Sequence, residues 1–411
     1  MTSRRHFLAA GTAAMLTATR GRAAKTSTSF PYPEFESRIT KRDFRDITKD
    51  VLPTPAMMVD LDLFEQNVKK LADHAKTTGI NLRPHVKVHK SVDVGKRQIA
   101  LGAVGLTTAT IAESELMSDA GLKGVLWTKQ PASRNNLVRT IALTKRDPTF
   151  MFVADDPLVL DMVEQAAAEA RVKCRIAVAV YAGMVRQGIA NGKPAVELAQ
   201  RIASSKNMKF EGYMAYSGAA SHTSGWEARR KKSAEDLSGL QETLDMSRKA
   251  GLPFNIVSGG STGTYDMDKA NGLTELECGS YIFMDTSYLA IGGKSDPSTY
   301  TDFPAALTVL TTVDSKQHPN VATIDYGNKA MARPTDKVKD MDWLEVVNQG
   351  AEYGGLKWKN GEKEVKLGDR VEIYCTKLDM STAVYDRYYV ARGNQIVDVW
   401  PIMGRGGAQQ R

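Results

Sequence analysis

The 411-residue chain carries 55 Lys and Arg against 47 Asp and Glu, a formal net charge of +8. No window gathers those cations with interleaved aromatics, which excludes a nucleic-acid-binding stripe. Cys174, Cys278 and Cys375 stand far apart, which excludes a disulfide framework and leaves three small buried residues.

The chain opens with Ser3-Arg4-Arg5-His6-Phe7-Leu8 and a mildly apolar run from Ala9 to Thr19. That layout predicts an export signal of the twin-arginine kind over residues 1–24, with cleavage near Ala23 or Ala24 and a periplasmic mature protein. Gly11, Thr12, Thr17 and Thr19 leave the run too short and weak to span a bilayer, so no stable membrane anchor is expected. Residues 1–24 hold four arginines and no acid, so about half of the +8 belongs to the signal. The twin-arginine route carries folded proteins, which suits an enzyme that acquires an organic cofactor before export.

Residues 25–52, polar and mixed in charge, read as an N-terminal arm. A short apolar strand follows at 56–61, then Phe64, Val68, Leu71 and Ala75 at helical spacing. Strand-like segments recur at 82–87, 105–110, 124–129, 149–154, 174–181, 209–216, 254–259 and 278–284, with amphipathic helices between them. The helix at 157–170 has the plainest signature: Asp156 as N-cap, Pro157 as first residue, and a face of Val159, Met162, Val163 and Ala166. Eight strands alternating with helices predict a (β/α)8 TIM-type barrel over residues 53–288, with an open Rossmann sheet as runner-up. Residues 289–411 turn β-rich, at 306–313, 321–325, 370–374 and 388–391, with a turn at Lys359-Asn360-Gly361. They predict a separate C-terminal β-domain, which the strand at 56–61 could join.

Two stretches carry chemistry. In Arg83-Pro84-His85-Val86-Lys87-Val88-His89-Lys90, Lys87 stands at a strand end among cationic neighbours, and like charges favour the neutral, nucleophilic amine. A pair of solvated helix-entry lysines would give the same octet. The seventh strand runs into Ser258-Gly259-Gly260-Ser261-Thr262-Gly263, whose glycines let amides approach an anion while its hydroxyls add donors. Barrels commonly hold a phosphate after strands seven and eight. A lysine and a phosphate cradle at one barrel face form a pyridoxal-phosphate site.

The octet and this loop, with Thr54-Pro55-Ala56, Asp60, Glu275-Leu276-Glu277-Cys278-Gly279-Ser280-Tyr281 and Val399-Trp400-Pro401-Ile402, resemble the D-threonine aldolase and D-serine dehydratase family over nearly all of the mature chain. The resemblance implies a pyridoxal 5'-phosphate enzyme with an alanine-racemase-like barrel, a C-terminal β-domain and a homodimeric state, acting on a small amino acid. It implies that Lys87 is the Schiff-base lysine. It places Arg186 beside the cofactor ring, Tyr216 against the ring or the phosphate, and His222 as the base for a substrate β-hydroxyl, an imidazole being suited to that task near neutrality.

Relatives bind a divalent metal through a His-x-Cys or His-x-Asp pair in the β-domain, and here that stretch reads Lys377-Leu378-Asp379. A protonated lysine has no lone pair and competes with a metal, so a metal-free pocket is expected, with Lys377, held by Asp379, facing the substrate. The resulting expectation is a lyase that cleaves the Cα–Cβ bond of a β-hydroxy D-amino acid. A D-serine or 3-hydroxyaspartate dehydratase, an amino-acid racemase and a non-catalytic pyridoxal-phosphate carrier are the alternatives.

Overall fold

The computed structural model describes residues 30–332, 337–348, 350–359, 361 and 363–405. The expected signal at 1–24, the first residues of the arm and Asn360 of the expected turn lie outside the described residues.

Eight parallel strands form the barrel: β2 (Asn81–Leu82), β3 (Thr107–Thr108), β4 (Leu126–Trp127), β5 (Met151–Ala154), β6 (Cys174–Ala179), β7 (Met208–Ala215), β8 (Ile256–Gly259) and β9 (Glu275–Leu276). From β3 to β9 each pairs with the next, and β9 pairs with β2. The ring closes between β2 and β3 through a parallel bridge, His85 to Thr107, with Val104 N–H on the Leu82 carbonyl and Thr107 N–H on the Pro84 carbonyl, both at 2.8 Å. The fold is alanine-racemase-like, an (β/α)8 barrel joined to an antiparallel C-terminal sheet.

Helices between the strands follow their sequence signals. Leu61–Thr78 starts at Asp60, whose carboxylate accepts the Leu63 N–H at 3.3 Å, and buries Phe64, Val68 and Leu71. Pro157–Ala170 starts at Asp156, but its buried face is Val159, Leu160, Val163 and Ala167, one position round from the expected stripe.

The last expected barrel strand, 278–284, is corrected. The ladder runs through Glu275–Leu276 and ends where Glu277 donates to the Gly259 carbonyl at 2.6 Å; Ser280–Ile282 is a 3₁₀ turn. Tyr281, Ile282, Phe283 and Met284 are all buried, and a continuous apolar run does not distinguish a core strand from a core turn.

The second sheet contains β10 (Leu307–His318), β11 (Val321–Ile324), β12 (Glu345–Asn348), β13 (Gly354–Lys357), β14 (Arg370–Tyr374), β15 (Arg387–Arg392) and β16 (Gln395–Pro401). The strand at Ala56–Asp60, β1, lies inside this sheet, antiparallel to β10 and parallel to β15. The described part of the arm is packed against it. Phe35 and Ile39 of the helix Tyr32–Thr40 share a small core with Ile47, Met58 and Tyr389. No described helix is long and apolar enough to cross a membrane.

One buried ion pair holds the barrel at the β2–β9 seam. Arg83 donates from Nε and Nη2 to the two oxygens of Glu275, at 2.7 and 2.9 Å, and from Nη1 to the Gly124 carbonyl. Gly105 makes the room, since a Cβ there would sit 2.3 Å from Arg83 Nη1. Arg83→Ala leaves the Glu275 carboxylate buried without its partner and should lower stability by about 3–5 kcal/mol. Urea unfolding measures it, and an unchanged midpoint would show that the pair does not hold the seam.

Candidate active site

Beyond Leu82 the chain remains wedged between its neighbours, with His85 N–H on the Cys278 carbonyl at 3.1 Å, and then turns through the 3₁₀ segment Val86–Val88. His85 caps that turn, its Nδ1 accepting the Lys87 N–H at 3.2 Å. Lys87 is thereby set at the C-terminal mouth of the barrel, its Nζ 5.7 Å from the Tyr216 ring centre.

Lys90 is turned elsewhere. Its backbone takes a left-handed φ of 52°, and its buried ammonium donates to the Lys87 carbonyl, the Asp379 carbonyl at 2.6 Å and Thr382 Oγ1 at 3.2 Å. Of the two lysines, Lys87 alone lines the cleft. The cationic crowd read from the octet also shrinks. Burial and neighbouring cations hold His85 well below the usual imidazole range, burial pushes His89 down to about 3, and Arg83 is paired with Glu275.

The loop after β8 has a defined peptide geometry. The Gly259 carbonyl accepts from Glu277 N–H, the Ser261 carbonyl from Thr264 N–H at 3.2 Å, and the Thr262 carbonyl from the Tyr300 hydroxyl at 2.6 Å. In a trans peptide the next N–H points the opposite way, so the N–H groups of Gly260, Thr262 and Gly263 turn away from these anchors. None of the three has an acceptor among the described residues. Gly260 has a φ of 73°, which a side chain would resist. Successive free N–H groups in such a turn form an anion nest. Behind it, Thr264 Oγ1 accepts the Ser261 N–H and donates to Asp268, a carboxyl that burial pushes up to about 6.

Ser261 and Thr262 face a cleft of about 160 Å³ shared with Lys87, Tyr216, His222, Lys377 and Asp379. Seven of the residues singled out in the sequence thus meet at one place. Ser258 does not face it: its hydroxyl donates to Glu277 at 2.7 Å from within the wall. Gly259, Gly260 and Gly263 shape the loop's backbone. Arg186 lies outside, exposed, with its guanidinium carbon 5.6 Å from the Tyr216 ring centre, so that this ring stands near two cations.

His222 caps the short helix Gly218–Ser221 and packs on Tyr288, ring centres 4.4 Å apart and planes tilted by 41°. Burial lowers its pKa, partly offset by Asp285, which keeps a neutral, proton-accepting imidazole at neutral pH. Lys377 and Asp379 lie at the two ends of a sharp turn, Lys377 at a φ of 48° before the helix Leu378–Ser381. No ion pair joins them, which corrects the expectation that Asp379 holds the ammonium; the charge of Lys377 acts instead on Asp285 and His222. Among the described residues, no three His, Cys, Asp or Glu side chains converge as a metal-binding group.

Sequence reasoning gave no role to His85, Glu277, Asp285 or Tyr288, which also line the cleft. Glu277 had a signal: an acid at the end of a barrel strand, where site residues concentrate. Burial pushes its carboxyl up to about 7. Tyr288 had none, because its place depends on how the chain leaves the barrel.

The family model for the alanine racemase N-terminal domain matches residues 59–287. The chain belongs to that family. A putative serine dehydratase domain matches residues 306–391. The 3-hydroxy-D-aspartate aldolase of Paracoccus denitrificans (strain Pd 1222) is 32% identical over 363 residues, spanning 86% of this chain and 92% of that protein. The D-threo-3-hydroxyaspartate dehydratase of Delftia sp. (strain HT23) is 28% identical over 374 residues, 85% of this chain and 97% of that protein. The solved D-threonine aldolase from Filomicrobium marinum superposes with a TM-score of 0.82 at 29% identity, covering 88% of this chain and 97% of that one. Aldolases and dehydratases are lyases, and these likenesses support a pyridoxal-phosphate lyase of D-amino acids.

The residues present fit that cofactor. The N–H nest with the Ser261 and Thr262 hydroxyls suits its phosphate, Lys87 its aldehyde, and Glu277 its basic ring nitrogen. Lys87→Ala should abolish the visible absorbance of bound cofactor and its borohydride-trapped attachment, whereas Lys90→Ala should keep both and lose stability. Trapping on Lys90 in the Lys87 variant would overturn the assignment.

Proposed function

We propose that the protein cleaves the Cα–Cβ bond of a β-hydroxy D-amino acid, releasing an aldehyde and, from threonine, glycine, without need of a divalent metal. The observation that carries this reading is His222, exposed to the cleft with its pKa held below the ordinary imidazole value, lining one cleft with the amine of Lys87. When bound, pyridoxal phosphate supplies an electron-accepting ring for the pair released at Cα. Lys87 would hold the cofactor's aldehyde through its amine, at the position that a substrate amine would share. His222 takes the β-hydroxyl proton, so that the C–O bond becomes a carbonyl as the Cα–Cβ bond breaks. Lys377, exposed at the cleft, offers its ammonium to the hydroxyl or to an acidic side chain of the substrate. Cleavage asks for positioning and deprotonation, whereas elimination of hydroxide gains more from Lewis acidity, which an ammonium does not supply.

Purified enzyme offered D- and L-β-hydroxy amino acids should release aldehyde from the D series. Keto acid instead would mean elimination, and inverted substrate a racemase. His222→Ala should slow cleavage by about 10²–10⁴-fold with the cofactor's absorbance retained. Chelators should leave turnover unchanged; loss on chelation, restored by manganese or zinc, would overturn the metal-free part.

We further propose that the protein is exported and acts as a homodimer. Arg4-Arg5 followed by Phe7-Leu8 supports export. Val185, fully exposed, and Tyr181, 43% exposed, supply apolar surface on the loop after β6 that a second copy would cover. Replacing Arg4 and Arg5 by lysine should retain the precursor in the cytoplasm, and export undiminished by that change counts against the twin-arginine route.

A further inference from the structure

Arg229, in the first turn of the helix Trp226–Asp236, is 0% exposed. A guanidinium at such depth ordinarily has a carboxylate partner. Arg229 has carbonyls instead. Nε donates to Gly263 at 2.7 Å, Nη1 to Thr223 at 2.9 Å and Ile291 at 3.2 Å, and Nη2 to Gly292 at 2.9 Å. The Tyr300 ring lies 5.5 Å from its guanidinium carbon. Asp266 and Asp302 act on it only at a distance, while burial works against its charge.

Carbonyl oxygens solvate a cation without neutralising it, so a full positive charge remains behind the loop. On that loop, the N–H groups of Gly260, Thr262 and Gly263 are left without acceptors. Arg229 holds the Gly263 carbonyl, and the Tyr300 hydroxyl beside it holds the Thr262 carbonyl, which turns the Gly263 N–H away from both. A dianion seated on those N–H groups would lie about one peptide unit from the guanidinium, inside protein that screens charge far less than water does. The cation lacking an anion and the nest lacking an acceptor are two faces of the same backbone.

We propose that Arg229 is the charge partner and positioning residue of the cofactor's phosphate, acting through the 259–264 loop without touching the phosphate; the inference rests on the pyridoxal-phosphate reading above. A purely structural staple joining the loops at Gly263, Thr223 and Ile291 would affect every ligand of the site alike. A charge partner affects the phosphate alone.

The test titrates the full-length protein, freed of cofactor, with pyridoxal phosphate and with pyridoxal, which keeps the ring and aldehyde but lacks the phosphate. If the wild type gives no visible band with pyridoxal phosphate, the cofactor reading fails and takes this inference with it. Given the band, the ratio of the two dissociation constants decides. Arg229→Gln should reduce the preference for the phosphorylated form at least tenfold, and Arg229→Lys, which keeps the charge, should reduce it less. Equal weakening of both ligands in Arg229→Gln, with the preference unchanged, overturns the proposal. If neither variant folds, the wild-type holoenzyme still answers through the phosphorus resonance of its cofactor between pH 5 and 8. A charge partner keeps the phosphate dianionic and the resonance unmoved; titration at its ordinary value of about 6 overturns the proposal.

Discussion

The ammonium of Lys90 joins the two domains at the point where the chemistry is arranged. Three oxygens, from Lys87, Asp379 and Thr382, surround it, and the last two belong to the β-domain. Burial makes this charge costly unless every donor is satisfied, so the barrel and the β-domain must meet in one register. That register fixes the Lys87 backbone from behind while its side chain remains directed at Tyr216. Tyr388 adds a second tie, its hydroxyl donating to the His89 carbonyl at 2.8 Å. The C-terminal end of the octet is therefore a junction, and the Lys87 side chain is left facing the cleft.

Neighbouring buried groups are kept neutral or paired, which simplifies the field around that amine. His89 Nδ1 accepts the Ser91 N–H at 3.1 Å, and Gln98 Nε2 donates to the Tyr281 hydroxyl at 3.1 Å, two neutral contacts beneath the mouth. Arg83 and Glu275 cancel each other at the seam. What remains at the cleft is a set of groups shifted by their surroundings: burial pushes Glu277 up to about 7 and raises Asp285, while His222 is lowered. Shifted groups gathered in one cleft are the pattern that acid–base chemistry uses.

The architecture was legible in the sequence because strands alternate with helices, one of whose starts is written in its cap and periodicity, at Asp156-Pro157. The strand-to-turn change at 278–284 was not legible, since burial on all sides erases the period that separates the two. The site was legible where chemistry forces residue type, in the lysine octet and the glycine loop. It was illegible where tertiary packing decides the role. His85 and His89, neighbours of Lys87 in the octet, are held neutral by burial, and Arg229, within the cationic run Arg229-Arg230-Lys231-Lys232, is buried although the sequence analysis gave it no role. Lys377 and Asp379, two residues apart, looked like a pair, but both stay exposed at the cleft with no ion pair between them.

That geometry also lets the side chain at residue 377 vary without disturbing the fold. The helix Leu378–Ser381 is held by main-chain and buried hydroxyl contacts: the Asp379 carbonyl on Lys90, the Lys377 carbonyl accepting from Met380 and Ser381, and the Ser381 hydroxyl on the Thr376 carbonyl at 2.6 Å. None of these uses the side chains at 377 or 379, both of which are exposed at the cleft. Backbone anchoring separates the position of the turn from the chemistry displayed on it. A cation at residue 377 therefore meets the same His222, Asp285 and Tyr288 wall that any other side chain there would meet. The barrel places the Lys87 amine, His222 and the loop after β8 at one cleft, and this one turn can vary the side chains displayed beside them.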